Sequence, residues 1–286
     1  MKKYFIEFRI HHYVKNVLVF VALACSGHLF DMNKLIACVW GFLAFCMVSS
    51  AIYVINDIQD VEKDRMHPTK CHRPIASGAI PVKRAWAMAA LLTVLCAFFN
   101  WMVFTIPSTI LIVLYMALNI GYSMGLKNIP ILDTTILVSG FLIRIVYGAI
   151  ITEIVISNWL YLTVIVMSFY LALGKRRNEL KRVQAGTTRK VLSFYTEGFL
   201  DKNMYVCLGL TNAFYALWAM DKGAEETGYS KYLIWTVPIV LLIFMKYSLD
   251  IEGNSDGDPV EVLVHDKVLL VLCTVYALAM CAILYL

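Results

Sequence analysis

Apolar segments of roughly 17–22 residues recur along the chain, each long enough to cross a hydrocarbon core of about 30 Å. Read from hydropathy, they fall near 17–33, 35–55, 84–104, 106–123, 130–151, 157–174, 203–220, 231–249 and 267–286, with only a short turn around Asp31–Lys34 between the first two. Lipid offers no hydrogen-bond partner to a bare backbone, so segments of this kind must be helices. Composition agrees: 60% of residues are hydrophobic, 16% are charged and the mean hydropathy is +0.71. Soluble domains run near 45–50% and about 25%. The expected fold class is all-α, a polytopic membrane protein of nine transmembrane helices forming one domain over 1–286.

Charge sets the orientation. With the N-terminus inside, all of the 25 Lys and Arg residues fall on inner segments except Lys34, Lys222 and Lys231 in outer turns and Arg144 within a span. That asymmetry predicts a cytoplasmic N-terminus. It also accounts for the net charge of +5 without a nucleic-acid partner. The eight cysteines lack a CxxC pair and mostly lie in spans, so they read as small apolar residues rather than disulfide or zinc ligands. Val21–Cys25 faintly imitates a lipoprotein cleavage site. The region before it stays polar through Asn16 and many spans follow, so it reads as part of the first span.

One stretch stands apart from this apolar background. Asn56-Asp57-Ile58-Gln59-Asp60-Val61-Glu62-Lys63-Asp64 places four acids in nine residues directly after the second span. Asp57, Asp60 and Asp64 fall at i, i+3 and i+7, which puts three carboxylates on one helix face. Such a face is either a solvated helix end, with Asp60 answered by Lys63, or a site for a hard divalent cation such as Mg²⁺ shared with substrate phosphates. The next residues turn basic, with Arg65, His67, Lys70, His72 and Arg73 ahead of Pro74–Gly78. An acidic face followed by a cationic loop suits a metal-bound diphosphate.

Four further constellations carry charge near the inner surface. Arg9–Asn16, with Lys15 and Asn16, precedes the first span and also reads as interfacial anchoring. Tyr122–Lys127 follows the fourth span; Asp133 and Arg144 share the next. Those two are eleven residues apart, about 16 Å along a helix, so each needs its own partner. Arg144 is expected to face a polar cavity or a carboxylate of another span. Gly174-Lys175-Arg176-Arg177-Asn178-Glu179 follows the sixth span, whose helix is expected to run on through Gln184. Asp256, Asp258, Glu261, His265 and Asp266 precede the last span and suit a second metal, a sugar hydroxyl or mere solvation. The histidines show no HExxH spacing, so no histidine metal site is expected.

At these residues the chain resembles the UbiA superfamily of intramembrane prenyltransferases, whose NDxxDxxxD motif on the second of nine spans is matched by Asn56, Asp57, Asp60 and Asp64. The resemblance implies a UbiA-like helical bundle. Members carry a second acidic motif after the sixth span; this chain has Gly174–Glu179 there, with basic residues. One branch is more similar, that of decaprenyl-phosphate phosphoribosyltransferase. It shares the Lys15-Asn16 pair, the pattern from Asp60 through Gly78, Tyr122–Lys127, Gly140–Arg144 and Gly174–Arg176, while Ile10 and Tyr13 depart from its proline and tryptophan.

That resemblance implies an Mg²⁺-dependent glycosyltransferase moving 5-phosphoribose from 5-phosphoribosyl 1-diphosphate (PRPP) to a polyprenyl phosphate at the cytoplasmic face of a bacterial inner membrane. Asp57, Asp60 and Asp64 are implied as metal ligands and, with Lys15, as catalytic residues. Asn16, Asn56, Lys70, Arg73, Tyr122, Lys127, Arg144, Lys175 and Arg176 are implied as substrate contacts. A homo-oligomer is compatible with this picture. Two other readings stay open: prenyl transfer from a prenyl diphosphate to an aromatic acceptor, and a transporter or lipid-binding protein. The last calls for broken helices near the midplane, whereas the ionic residues here gather at the inner surface.

Overall fold

A computed structural model of the protein describes residues 2–182, 190–224, 230–253, 262–263 and 265–285. All regular structure among them is helical: α1 (Lys2–Phe8), a 3₁₀ helix (Ile10–Phe20), α2 (Val21–Ser26), α3 (Met32–Gln59), α4 (Val61–Arg65), α5 (Val82–Trp101), α6 (Ile106–Met124), α7 (Leu132–Thr152), α8 (Asn158–Arg182), α9 (Glu197–Ala224), α10 (Val237–Glu252) and α11 (Lys267–Tyr285). Further short 3₁₀ turns connect them. The expected extension of the sixth span reaches Arg182; Gln184 lies outside the described residues, as do Asp256, Asp258 and Glu261.

Seven described segments are long and apolar enough to cross a membrane: α3, α5, α6, α7, α8 to Lys181, Lys231–Glu252 ending in α10, and α11. They coincide with seven of the expected spans. The expected first span instead begins earlier and ends sooner, as the 3₁₀ helix running into α2. The chain then turns at Gly27, whose φ of 85° favours glycine. Asp31 caps α3 by accepting from the Asn33 and Lys34 amides at 3.0 and 3.3 Å. The expected span 203–220 lies within α9, where Asn203 and Asn212 dilute the apolar run.

Exposure explains why these helices need lipid. Only 22%, 17% and 11% of the apolar windows of α5, α6 and α11 are buried. Leu91, Val94 and Phe98 of α5 and Ile110 and Val113 of α6 point outward. In water, apolar area on that scale drives association; in a bilayer it is the natural outer face.

The described chain forms two compact units, the first from Met1–Leu126 and Ile143–Val155 and the second from Lys127–Leu142 and Ile156–Leu286. In the first, α3 packs against α1, α5, α6 and the 3₁₀ helix. One apolar cluster joins Val19, Phe45, Val48, Ile112, Tyr115 and Tyr147. Another joins Val54 and Ile58 of α3 and Ala85 and Ala89 of α5 to Ile75 and Ile80 from the loop after α4. Burying Ile75 and Ile80 contributes on the order of 2 kcal/mol each, and it folds the basic loop back over the end of α3. In the second unit α8 packs on α9 and α10, and α10 on α11.

Candidate active site

The acidic segment is not one continuous helix. α3 ends at Gln59, and Asp60 carries the break before α4. Two backbone bonds bridge it, from the Asp60 amide to the Asn56 carbonyl at 2.9 Å and from the Asp64 amide to the Asp60 carbonyl at 2.8 Å. The shared face expected from spacing therefore survives for Asp57 and Asp64, both buried. Asp60 is more open and pairs with Lys63 at 3.4 Å. Asn56 accepts a 2.5 Å hydrogen bond from Ser123 Oγ, at the end of α6 beside Tyr122.

Arg73 closes the pair. Its Nη1 donates to Asp57 Oδ1 at 3.0 Å and to Asp64 Oδ2 at 2.7 Å. The buried Ile75 and Ile80 hold the loop that delivers it. Arg9 supplies a second guanidinium, with Nη2 2.7 Å from the same Asp57 Oδ1 and its face 4.6 Å from the Tyr53 ring centroid. Arg9 adopts the left-handed conformation, φ 50°, where α1 gives way to the 3₁₀ helix. That backbone costs about 1 kcal/mol for a residue with a Cβ, offset here by a charge-assisted bond. Lys70 is exposed, and Lys15 is half-buried on the 3₁₀ helix.

Glu7 completes this group, and no motif pointed to it. α1 is tied down by Lys3 Nζ donating to the Ala79 carbonyl at 2.8 Å and Ser50 Oγ donating to the Phe8 carbonyl at 2.9 Å. Glu7 is thereby only 1% exposed, within electrostatic reach of Asp57, Arg9, Arg73 and Asp64. Neither of its carboxylate oxygens has a hydrogen-bond partner among the described residues. Burial, reinforced by Asp57, pushes its carboxyl up to about 7. The one available signal was that Glu7 is the sole acid before Asp31, set among basic residues.

The 3₁₀ helix organises a second polar group. At three residues per turn, Tyr13, Asn16 and Val19 eclipse one another. Tyr13 OH pairs with Ser50 Oγ at 2.8 Å. Asn16 Oδ1 accepts from Arg144 Nε at 2.7 Å, and Arg144 Nη2 reaches Tyr115 OH at 2.8 Å and Ser49 Oγ at 3.3 Å. Arg144 also lies over the Tyr115 and Phe45 rings, 4.7 and 5.4 Å from their centroids. Its partners thus include neutral oxygens and rings, a polar setting of the kind expected for an arginine within a span. Gly148, one turn on, lets α7 approach Val19.

Lys127, Lys175 and Arg176 belong to the second unit. Lys127 and Lys175 are half-buried. Arg176 is fully buried: its Nε donates to Asp133 Oδ2 at 2.6 Å and its Nη1 to Glu179 Oε2 at 2.7 Å. Tyr195 OH donates to the other Asp133 oxygen at 2.6 Å. Asp133 and Arg144 accordingly have separate partners. Arg177 pairs with Asp201, and Lys246 with Asp250 and Asp266; of the acids ahead of the last span, for which a metal, a sugar hydroxyl and solvation were all open, Asp266 is thus an ion-pair partner.

Among the described residues, no group of three or more His, Cys, Asp or Glu side chains is arranged to hold a metal ion. Two carboxylates do converge on one positive point, since Asp57 and Asp64 both reach Arg73 Nη1. Mg²⁺ is commonly held by one or two carboxylates, with waters and substrate phosphates completing its shell. Asp57 and Asp64 fit that role, with the guanidinium nitrogen standing in for the cation.

Residues 16–249 match the sequence model of the UbiA prenyltransferase family. The chain is 35% identical to the decaprenyl-phosphate phosphoribosyltransferase of Mycolicibacterium smegmatis, over 92% of this chain and 86% of that one. It is 34% identical to the decaprenyl-phosphate phosphoribosyltransferase of Corynebacterium glutamicum, over 97% and 85%. Its fold is similar to that of a UbiA homolog from Archaeoglobus fulgidus bound to GPP and Mg²⁺, with a TM-score of 0.71, 18% identity, and 98% and 99% of the two chains covered.

Proposed function

The chain belongs to the UbiA prenyltransferase family, and from that premise we propose that it transfers 5-phosphoribose from PRPP to a polyprenyl phosphate of the decaprenyl type, releasing diphosphate. Two relatives named for that activity support the reading, since each aligns over more than four-fifths of both chains. The family match runs through both compact units, which supports one transferase domain over 1–286. The chain is a multi-pass membrane protein; we read it as nine spans with its N-terminus and active site on the cytoplasmic side of a bacterial inner membrane, as the Lys and Arg asymmetry favours.

The observation that carries the reading is the meeting of Asp57 and Asp64 on a single guanidinium nitrogen, with Arg9 on the same carboxylate. Asp57 and Asp64, with Asp60 at their side, would hold Mg²⁺, whose contribution when bound is to neutralise charge on the departing diphosphate. Arg9 and Arg73, released from the carboxylates, are then free to bind phosphate oxygens, and Lys70 and Lys15 add positive charge as negative charge develops. In the reaction the C1–oxygen bond to diphosphate breaks and a bond from C1 to a lipid phosphate oxygen forms. That oxygen is already anionic, so no general base is required and positioning dominates. Arg144 holds Asn16 in place, and Asn56 is oriented by Ser123. Lys127 and Lys175 remain candidates for substrate phosphates, while the two carboxylate partners of Arg176 favour a structural role.

Incubating the purified protein with labelled PRPP, polyprenyl phosphate and Mg²⁺ tests this by the appearance of labelled lipid. Turnover of a prenyl diphosphate with an aromatic acceptor, and none with PRPP, would favour the commoner chemistry of the family.

A further inference from the structure

Three carboxylates and two guanidiniums share the site in the first unit, and their pairing is uneven. Asp57 Oδ1 accepts from both Arg9 and Arg73, and Asp64 accepts from Arg73. Glu7 is equally buried and accepts from neither. A buried carboxyl without a partner is costly, and the arginines within electrostatic reach of it, Arg9 and Arg73, are already engaged with Asp57. Such a residue makes sense if a second arrangement of the same charges gives it a partner.

That arrangement follows from the cation reading of the site, on which this inference rests. A divalent cation at Asp57 and Asp64 must displace both arginines from those oxygens. Arg73 lies on the partly exposed basic loop and can turn outward. Arg9 is confined: it is stacked on Tyr53 and lies two residues from Glu7 on the segment pinned by Lys3 and Phe8. We infer that Glu7 is a positioning residue, the carboxylate that takes the Arg9 guanidinium when a divalent cation claims Asp57. Glu7 thus lowers the cost of clearing Asp57 without touching cation or substrate. It also keeps Arg9 at the edge of the site, where a diphosphate would meet it.

Mn²⁺ binding to the full-length protein in lipid nanodiscs, followed by the spin-resonance signal of the free ion, tests this without substrate. Glu7→Gln should raise the Mn²⁺ Kd about tenfold, the scale of losses around metal ligands. Arg9→Gln should tighten binding, because nothing then competes for Asp57. In the Arg9→Gln background, the further change Glu7→Gln should leave Kd unchanged. Equal weakening by Glu7→Gln in both backgrounds would overturn the inference, showing that Glu7 acts on the cation directly. An unchanged Kd in Glu7→Gln alone would overturn it as well, leaving Glu7 a structural residue. If Glu7→Gln does not fold, Glu7→Asp reports in its place: the shorter carboxylate should weaken binding with Arg9 present and not with Gln at position 9, and equal behaviour in the two backgrounds overturns the idea. A wild-type protein that binds no Mn²⁺ would remove the cation reading itself, an outcome distinct from the others because every variant would then be silent.

Discussion

Gly148 stands so close to Val19 that a Cβ placed on it would lie 1.9 Å from the Val19 carbonyl oxygen. The obstacle is backbone, so no side-chain rotation relieves it. Gly148→Ala should push α7 away from the 3₁₀ helix, lengthen the Arg144–Asn16 bond and destabilise the protein by about 2 kcal/mol or more. Gly209 of α9 is the control, because a Cβ there meets nothing within 4 Å. Gly209→Ala should stabilise by about 0.5–1 kcal/mol through helix propensity. Paired thermal melts in one detergent check both signs.

Asp60 and Asp64, one partly open and one buried, should separate activity from stability. Asp60 is partly open, with the exposed Lys63 among its partners, so Asp60→Asn should cost less stability than Asp64→Asn yet lose about 100-fold in turnover. Asp64 is buried against Arg73. Asp64→Asn should lose turnover and also about 2 kcal/mol of stability, the scale of a hydrogen bond to a charged group. Turnover and melting temperature measured on the same preparations distinguish the two.

In the second unit, Asp133 and Arg176 are both fully buried and paired, with Tyr195 as a further partner of Asp133 and Glu179 as a further partner of Arg176. Removing one member strands the other charge. Arg176→Gln should cost about 3–5 kcal/mol, and Tyr195→Phe about 1 kcal/mol. If Arg176 instead binds substrate, its loss will appear as a raised KM with little change in melting temperature.

Glu7 gives the site a pH signature when cations are removed by chelator. Its carboxyl is raised from 4.5 to about 7 in the folded protein. The folded state therefore holds a proton that the unfolded chain releases, and the stability this gives is complete below about pH 4.5 and lost as pH rises through 7. The full span amounts to about 3 kcal/mol. Glu7→Gln lacks this term, so its melting temperature relative to wild type should rise between pH 5 and pH 8. A constant difference across that range would mean Glu7 is ionised throughout.

Much of this was legible in residue order, for physical reasons that also mark where legibility stopped. Hydropathy located α3, α5, α6, α7, α8, α10 and α11 because lipid leaves a helix no alternative. It did not reveal that Ile10–Phe20 winds as a 3₁₀ helix, since apolar content is indifferent to whether three or 3.6 residues make a turn. The spacing of Asp57 and Asp64 placed them together, but their arginines come from 48 and 16 positions away from Asp57. Glu7 belongs to no motif, and only the packing of α1 against α3 buries it. Arg176 sits in a basic run, and its buried ion-pair partner Asp133 is 43 positions away along the chain. Gly148 was one small residue among many in a span, and only the approach of Val19 gives it meaning.

The most direct measurement is transfer itself. Purified protein, reconstituted in lipid with polyprenyl phosphate, Mg²⁺ and PRPP labelled in the ribose, should form a labelled lipid with release of diphosphate, and chelation of Mg²⁺ or Asp60→Asn should stop both. An intact protein that forms no labelled lipid under these conditions, yet joins a prenyl diphosphate to an aromatic acceptor, would contradict the account.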